Sequence, residues 1–146
     1  MIAPLSIPTS RQGLHDITDQ VAQVVTRAGR AGVLAADGSG LCTVFLQHTS
    51  ASLVIQENAA PSARHDLEAW FNRLVAEGDP LFTHNDEGPD DMPAHIKAAL
   101  TATSLAIPIE RGRLALGTWQ GIYLWEHRHA DARGGMARKV LVHVGA

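Results

Sequence analysis

Apolar and polar positions recur along the chain with two different periods, and these divide it into helices and strands. Over 19–29, Val21, Val24 and Val25 fall at helical spacing, with Thr18 or Asp19 placed to cap the start and Gly29 to stop the end. A longer helix is predicted over 61–77. There Leu67, Trp70, Phe71, Leu74 and Val75 follow the i, i+3, i+4, i+7, i+8 stripe of one buried face, Pro61 suits the first turn and Gly78 the stop. A third, short helix is predicted over 92–103, with Asp90 or Asp91 as its cap and Pro93 in its first turn. The proline-punctuated stretch 2–11 reads as an edge strand. The β-rich runs 41–48 and 53–57 are separated by Thr49 and Ser50. Further strands are predicted over 104–110, 113–117, 120–129 and 137–144, the first two joined by a turn at Arg111 and Gly112. Positions 119–125 are apolar on both faces, which predicts a strand covered on both sides by a second sheet or another subunit. The sum is an α+β chain, with antiparallel strands and helices inserted between them.

Length adds one domain, 1–146, because 146 residues match a single domain. Hydrophobic residues at 45% and charged residues at 18% exclude wholesale disorder. A formal net charge of −3 argues against a nucleic-acid partner that depends on a basic field. No apolar run approaches the ~18 residues of a membrane span. The start, Met1-Ile2-Ala3-Pro4-Leu5, lacks the basic region of a signal peptide. Cys42 is the single cysteine and lies inside an apolar run, so it reads as core; a cytoplasmic location is the expectation.

Eight histidines, at 15, 48, 65, 84, 95, 127, 129 and 143, change the picture. His48-Thr49-Ser50 at a strand exit offers an imidazole and hydroxyls for a metal or an anion, or an ordinary polar turn. Glu57-Asn58 before the second helix offers a carboxylate to orient a histidine, or a helix cap. The segment 84–95 holds two histidines and four carboxylates, a donor set suited to a divalent cation or a solvated acidic loop. In the stretch 117–129, His127 and His129 share one side of an extended strand and Glu126 and Arg128 the other; a chelating pair and a surface ion pair are both open. Trp70 and Phe71 read as core, and Trp119, Tyr123 and Trp125 as core or interface. No phosphate loop, dinucleotide fingerprint, CxxC pair or GxSxG elbow is present.

Three stretches, HTSASLVIQENA (48–59), GDPLFTHNDEGPDDMPAHIKAAL (78–100) and GRLALGTWQGIYLWEHR (112–128), resemble the YjbQ family, whose members are often named secondary thiamine-phosphate synthase. The resemblance implies an antiparallel two-sheet β-sandwich with inserted helices, assembled as a homotrimer around a threefold axis, with a pocket near the subunit boundary. It implies a transferase that joins hydroxymethylpyrimidine diphosphate to thiazole phosphate and releases pyrophosphate. The alternatives are a module that binds a phosphorylated metabolite, or a metal-dependent hydrolase. The family motifs carry over to His48, Thr49, Ser50, Glu57, Asn58, His84, Asp86, Glu87, His95, Thr118, Gln120, Glu126 and His127. The expectation is a divalent metal, zinc or magnesium, on His48, His95 and His127, with His84 and Asp86 contributing or completing the surroundings. Thr49, Ser50, Asn58, Thr118 and Gln120 would hold substrate; Glu57, Asp86 and Glu126 would orient ligands or move protons. The partner is a small phosphorylated metabolite, with no nucleic acid and no membrane. The chain departs from the family at Ala60, where an acidic residue is usual, and the tail after Arg128 carries no role over.

Overall fold

The computed structural model describes residues 1–146. Its terminal strands meet: β1 (Ile2–Thr9) pairs antiparallel with β8 (Met136–Gly145), and Pro4 and Pro8 sit where β1 has no second neighbour to bond. β8 pairs in turn with β3 (Gly40–Leu46), and β3 with β5 (Ser104–Glu110), which ends against the two-residue β6 (Arg113–Leu114). The second sheet has three strands: β2 (Gly13–Asp16), β7 (Gln120–Glu126) at the centre and β4 (Ala51–Glu57). β2 escaped sequence reading because four residues carry too little alternation.

Helix α1 (Thr18–Arg30) contributes Val21, Val24, Val25 and Ala28 to a hydrophobic cluster of 19 residues that draws on both sheets, including Val44, Val142, Leu53 and Ile122. Its start is held from outside, since the Asp16 carboxylate accepts the Thr18 backbone N–H at 2.9 Å and hydroxyl at 2.6 Å. β7 is buried on both faces as its composition demands. Ile122 and Leu124 face the large cluster, while Tyr123 and Trp125 face a smaller one with Leu14, Phe71 and Val75. A helix, α2 (Pro61–Leu74), therefore supplies the second cover, rather than a sheet or another subunit.

The stripe predicted for α2 splits. Phe71 and Val75 are buried, but Trp70 and Leu74 stand 54% and 56% exposed, because the helix touches the sheet along one flank only. Trp119 is likewise exposed on this chain and lies outside the core. Asn58 does not cap α2; its amide donates to the Gln120 carbonyl at 3.2 Å. Helix α3 (Asp91–Leu100) begins without a side-chain cap, and the carboxylates of Asp90 and Asp91 are turned to other partners. No helix is long and apolar enough to cross a membrane.

Candidate functional site

Asp91 opens α3, and its buried carboxylate is the pivot of the site. Oδ1 accepts a hydrogen bond from Arg128 Nη1 at 2.7 Å. Oδ2 faces two imidazoles, with His84 Nε2 at 2.8 Å and His95 Nε2 at 3.3 Å. His95 lies one helical turn after Asp91, so helical spacing alone puts both on one face. His84 arrives from the preceding loop, and the two rings lie 5.4 Å apart. His95 Nδ1 donates to the Thr49 carbonyl at 3.0 Å. A carbonyl only accepts, so Nδ1 carries the hydrogen, and Nε2 of a neutral ring presents its lone pair to the carboxylate. Two lone pairs facing each other call for a proton or a cation between them.

The chemistry of this donor set fits a divalent metal. The three ligand atoms lie within 4.8 Å of one another. Neighbouring ligands of a tetrahedral zinc lie about 3.3 Å apart, so small side-chain shifts suffice. Thr49 and Arg128 orient two of the three ligands from behind, the arrangement that fixes ring tautomer and carboxylate direction in metal sites. The His84 side chain is 50% exposed and that of His95 31%, which leaves one side of the set open to solvent.

The acidic loop is tied down behind this set. Asp90 accepts from Arg128 Nε at 3.1 Å, from Arg133 Nη2 at 2.9 Å and from the His129 backbone N–H at 2.8 Å. Burial alone would raise the Asp90 carboxyl, but the His129 N–H and the two guanidinium groups outweigh it and hold the acid well below the ordinary carboxylate range. Asp86 and Glu87 remain exposed on the loop.

Glu126, at the end of β7, lies in a separate buried network. Its two oxygens accept from Arg138 Nε at 2.7 Å, Arg138 Nη2, Thr9 Oγ1 at 2.8 Å and the Arg128 backbone N–H at 3.1 Å. Arg138 Nη2 also reaches Ser50 Oγ at 3.0 Å. The sequence signal for Arg138 is its phase, which matches that of the inward valines 140, 142 and 144 of β8. Asp91 and Asp90 were missed as site residues because an acid before a helix reads first as a cap.

The expected grouping of His48, His95 and His127 does not form. His48 Nε2 accepts the Lys139 backbone N–H at 2.8 Å, so its lone pair is already engaged. Burial, then the charges of Arg138 and Lys139, lower its pKa against the opposing pull of Glu126. His127 is buried against Phe71 and Trp125, with Nε2 2.8 Å from Ser52 Oγ. Burial first, then Lys97 and Arg138, push its pKa down to about 3. Nor do His127 and His129 chelate together, because His129 turns to Glu77.

Glu57, Asn58, Thr118 and Gln120 lie at the opposite end of the three-stranded sheet. Ala51 pairs with Glu126 at one end, and Glu57 with Gln120 at the other. Six residue steps at about 3.3 Å separate these ends by about 20 Å. Gln120 there accepts the Gly117 backbone N–H at 2.8 Å, and Thr118 is exposed.

Fold and site together define a small α+β protein with two antiparallel sheets, three helices and an open His–Asp–His donor set at the start of a helix. Comparison with known proteins places this class. The chain belongs to the UPF0047 protein YjbQ-like family, whose model matches residues 3–146. It is 49% identical over 140 residues to the UPF0047 protein sll1880 of Synechocystis, covering 96% of this chain and 88% of that one. It is 42% identical over 130 residues to the UPF0047 protein YjbQ of Escherichia coli O157:H7, covering 88% and 89%. The crystal structure of an uncharacterized conserved YjbQ/UPF0047 protein from Clostridium acetobutylicum superposes with a TM-score of 0.81 at 34% identity, covering 97% of this chain and 98% of that one.

Proposed function

We propose that this chain is a metal-dependent transferase acting on small phosphorylated metabolites. The specific reaction is the union of hydroxymethylpyrimidine diphosphate with thiazole phosphate and release of pyrophosphate. One observation carries the metal-dependent part: His84, Asp91 and His95 converge, with the His95 tautomer fixed by the Thr49 carbonyl. The reaction itself rests on resemblance to the family's thiamine-phosphate synthase members.

His84, Asp91 and His95 would hold the cation, and two imidazoles favour zinc over magnesium. A divalent metal there supplies Lewis-acid neutralisation of a departing diphosphate. Arg128 holds Asp91 in place through Oδ1 and leaves Oδ2 to the cation. Thr49 offers a hydroxyl to phosphate beside the open side, and Asp86 a solvent-exposed carboxylate for proton transfer. Glu126 and Ser50 act at one remove, by fixing Arg138 beneath the loop that carries His48 and Thr49.

The reading includes a homotrimer. Glu57, Asn58, Thr118 and Gln120 are too far from the metal ligands to serve the same substrate within one chain. An assembly that sets this end of one chain against the metal end of the next restores the full set.

The test is metal analysis of untagged protein, followed by assay of the same sample with both precursors. Pyrophosphate released only when both are present is the expected result. Release from the pyrimidine alone makes the protein a hydrolase, and release from neither makes it a binding module; each overturns the transferase.

A further inference from the structure

A guanidinium has N–H donors and no acceptor, so each of its buried nitrogens needs an oxygen to receive it. The Arg138 side chain is 4% exposed, and Nε and Nη2 are engaged by Glu126 and by Ser50 Oγ. Nη1 meets only the His48 ring, with Nδ1 at 3.4 Å. That ring nitrogen is no acceptor. The Lys139 backbone N–H donates to His48 Nε2, so the lone pair of the neutral ring lies at Nε2 and its hydrogen at Nδ1. Two donors therefore face each other, and no oxygen of the protein receives either. Ser50 has a hydrogen to spare as well: buried, its Oγ accepts from Arg138, while its own hydroxyl hydrogen meets no acceptor. Glu126 cannot serve them, because its two oxygens already take four donors. Burial first, then the charges of Arg138 and Lys139, keep the His48 ring neutral against the pull of Glu126, and the same two charges attract an anion. His48 is partly exposed and Thr49 and Lys139 beside it are exposed, so an ion can arrive from solvent.

We infer that His48 Nδ1, Arg138 Nη1 and the Ser50 hydroxyl form an anion subsite that takes a phosphoryl group of the substrate. The identity of that substrate rests on the transferase reading above; the donors follow from hydrogen bonding alone. The spacing suits the purpose, since one oxygen fits about 2.9 Å from each of two nitrogens 3.4 Å apart. A phosphoryl group presents three oxygens to donors arriving from different directions, whereas a carboxylate presents two in one plane. The subsite adjoins the cation ligands along the chain. The Thr49 carbonyl receives His95 Nδ1, and the residue before it, His48, supplies an anion donor. One short segment thus serves a cation on one side and an anion on the other, the combination that a substrate with a charged phosphate tail requires.

The experiment titrates inorganic phosphate into the full chain as purified, and again after a chelator, while NMR follows the ring nitrogens of the histidines. The His48 ring is expected as the Nδ1–H tautomer, and its signals are expected to shift saturably with phosphate in both samples. His48→Gln is expected to bind phosphate at least ~10-fold more weakly, the loss of one hydrogen bond to a charged group. Its side-chain oxygen still accepts the Lys139 N–H, so only the Nδ1 donor is lost. His65→Ala, on α2, is expected to bind as wild type, and acetate at the same concentration is expected not to displace phosphate. An Nε2–H ring, the absence of saturable binding, or binding that His48→Gln leaves unchanged overturns the subsite. So does binding that the chelator abolishes, which belongs to the cation. Displacement by acetate overturns the assignment to a phosphoryl group. The wild-type ring signals decide the matter on their own if His48→Gln fails to fold. Phosphate bound here by a chain that releases no pyrophosphate from the two precursors keeps the subsite and removes the transferase; pyrophosphate release without phosphate at His48 does the reverse.

Discussion

Zinc should raise the melting temperature of the wild-type chain, and His84→Ala should remove most of the rise. His84 is the cleanest ligand to remove: its side chain is 50% exposed, and its polar contact is with Asp91. In the absence of metal its loss costs within about 0.5 kcal/mol, as for surface substitutions elsewhere. With metal the arithmetic differs. A cation at 100 times its dissociation constant stabilises the folded state by about 2.7 kcal/mol. For a chain of this length each kcal/mol moves the melting temperature by about 3–4 °C, so the wild type gains roughly 8–11 °C. If removing one ligand of three weakens affinity about 100-fold, the same zinc concentration contributes about 0.4 kcal/mol, or under ~2 °C. The assay is thermal unfolding followed by fluorescence during a zinc titration, with a chelator to reverse it. His65→Ala is the control, since that ring is 81% exposed on α2 and belongs to no donor set. A His84→Ala chain that gains as much as wild type would refute the site.

The buried Glu126–Arg138 pair makes a stability prediction. Arg138→Met leaves a fully buried carboxylate without its guanidinium and should cost about 3–5 kcal/mol in urea unfolding, whereas Glu126→Leu with Arg138→Met together should recover much of it; additive losses would contradict this. His127 sets a pH dependence. Its pKa is pushed from 6.5 to about 3 on folding, so the folded state binds fewer protons, and stability is complete above 6.5 and falls as pH drops toward 3. Near pH 5–6 the slope is up to about 1.4 kcal/mol per pH unit, and His127→Gln should remove that part; equal slopes in the two proteins would show that the buried imidazole titrates normally. Burial raises the Cys42 thiol to about 11, so a thiol reagent should label it only at the rate of unfolding, and fast labelling of the native chain would place it outside the core.

Part of the candidate site lay open to reading because its members are close along the chain. His84, Asp91 and His95 fall within twelve positions, and a turn of helix joins the last two. The role of Asp91 did not, since a helix-opening aspartate reads the same whether it caps the helix or faces two histidines. The trio of 48, 95 and 127 failed for a related reason: residue type shows which side chains can donate a lone pair, not which lone pairs are already taken. Lys139 supplies the backbone N–H to His48, and Ser52 the hydroxyl beside His127.

Local periodicity by itself determined the helices, most of the strands and the two-sided burial of β7, because each depends on the order of neighbours along the chain. Tertiary structure alone decided that Arg138 would clasp Glu126 and that Thr49 would fix His95. It also decided that Glu57 and Gln120 would stand a sheet's length from the histidines. Strand pairing and register make those choices, and they are settled by which faces can be buried together, a property no short stretch of sequence contains.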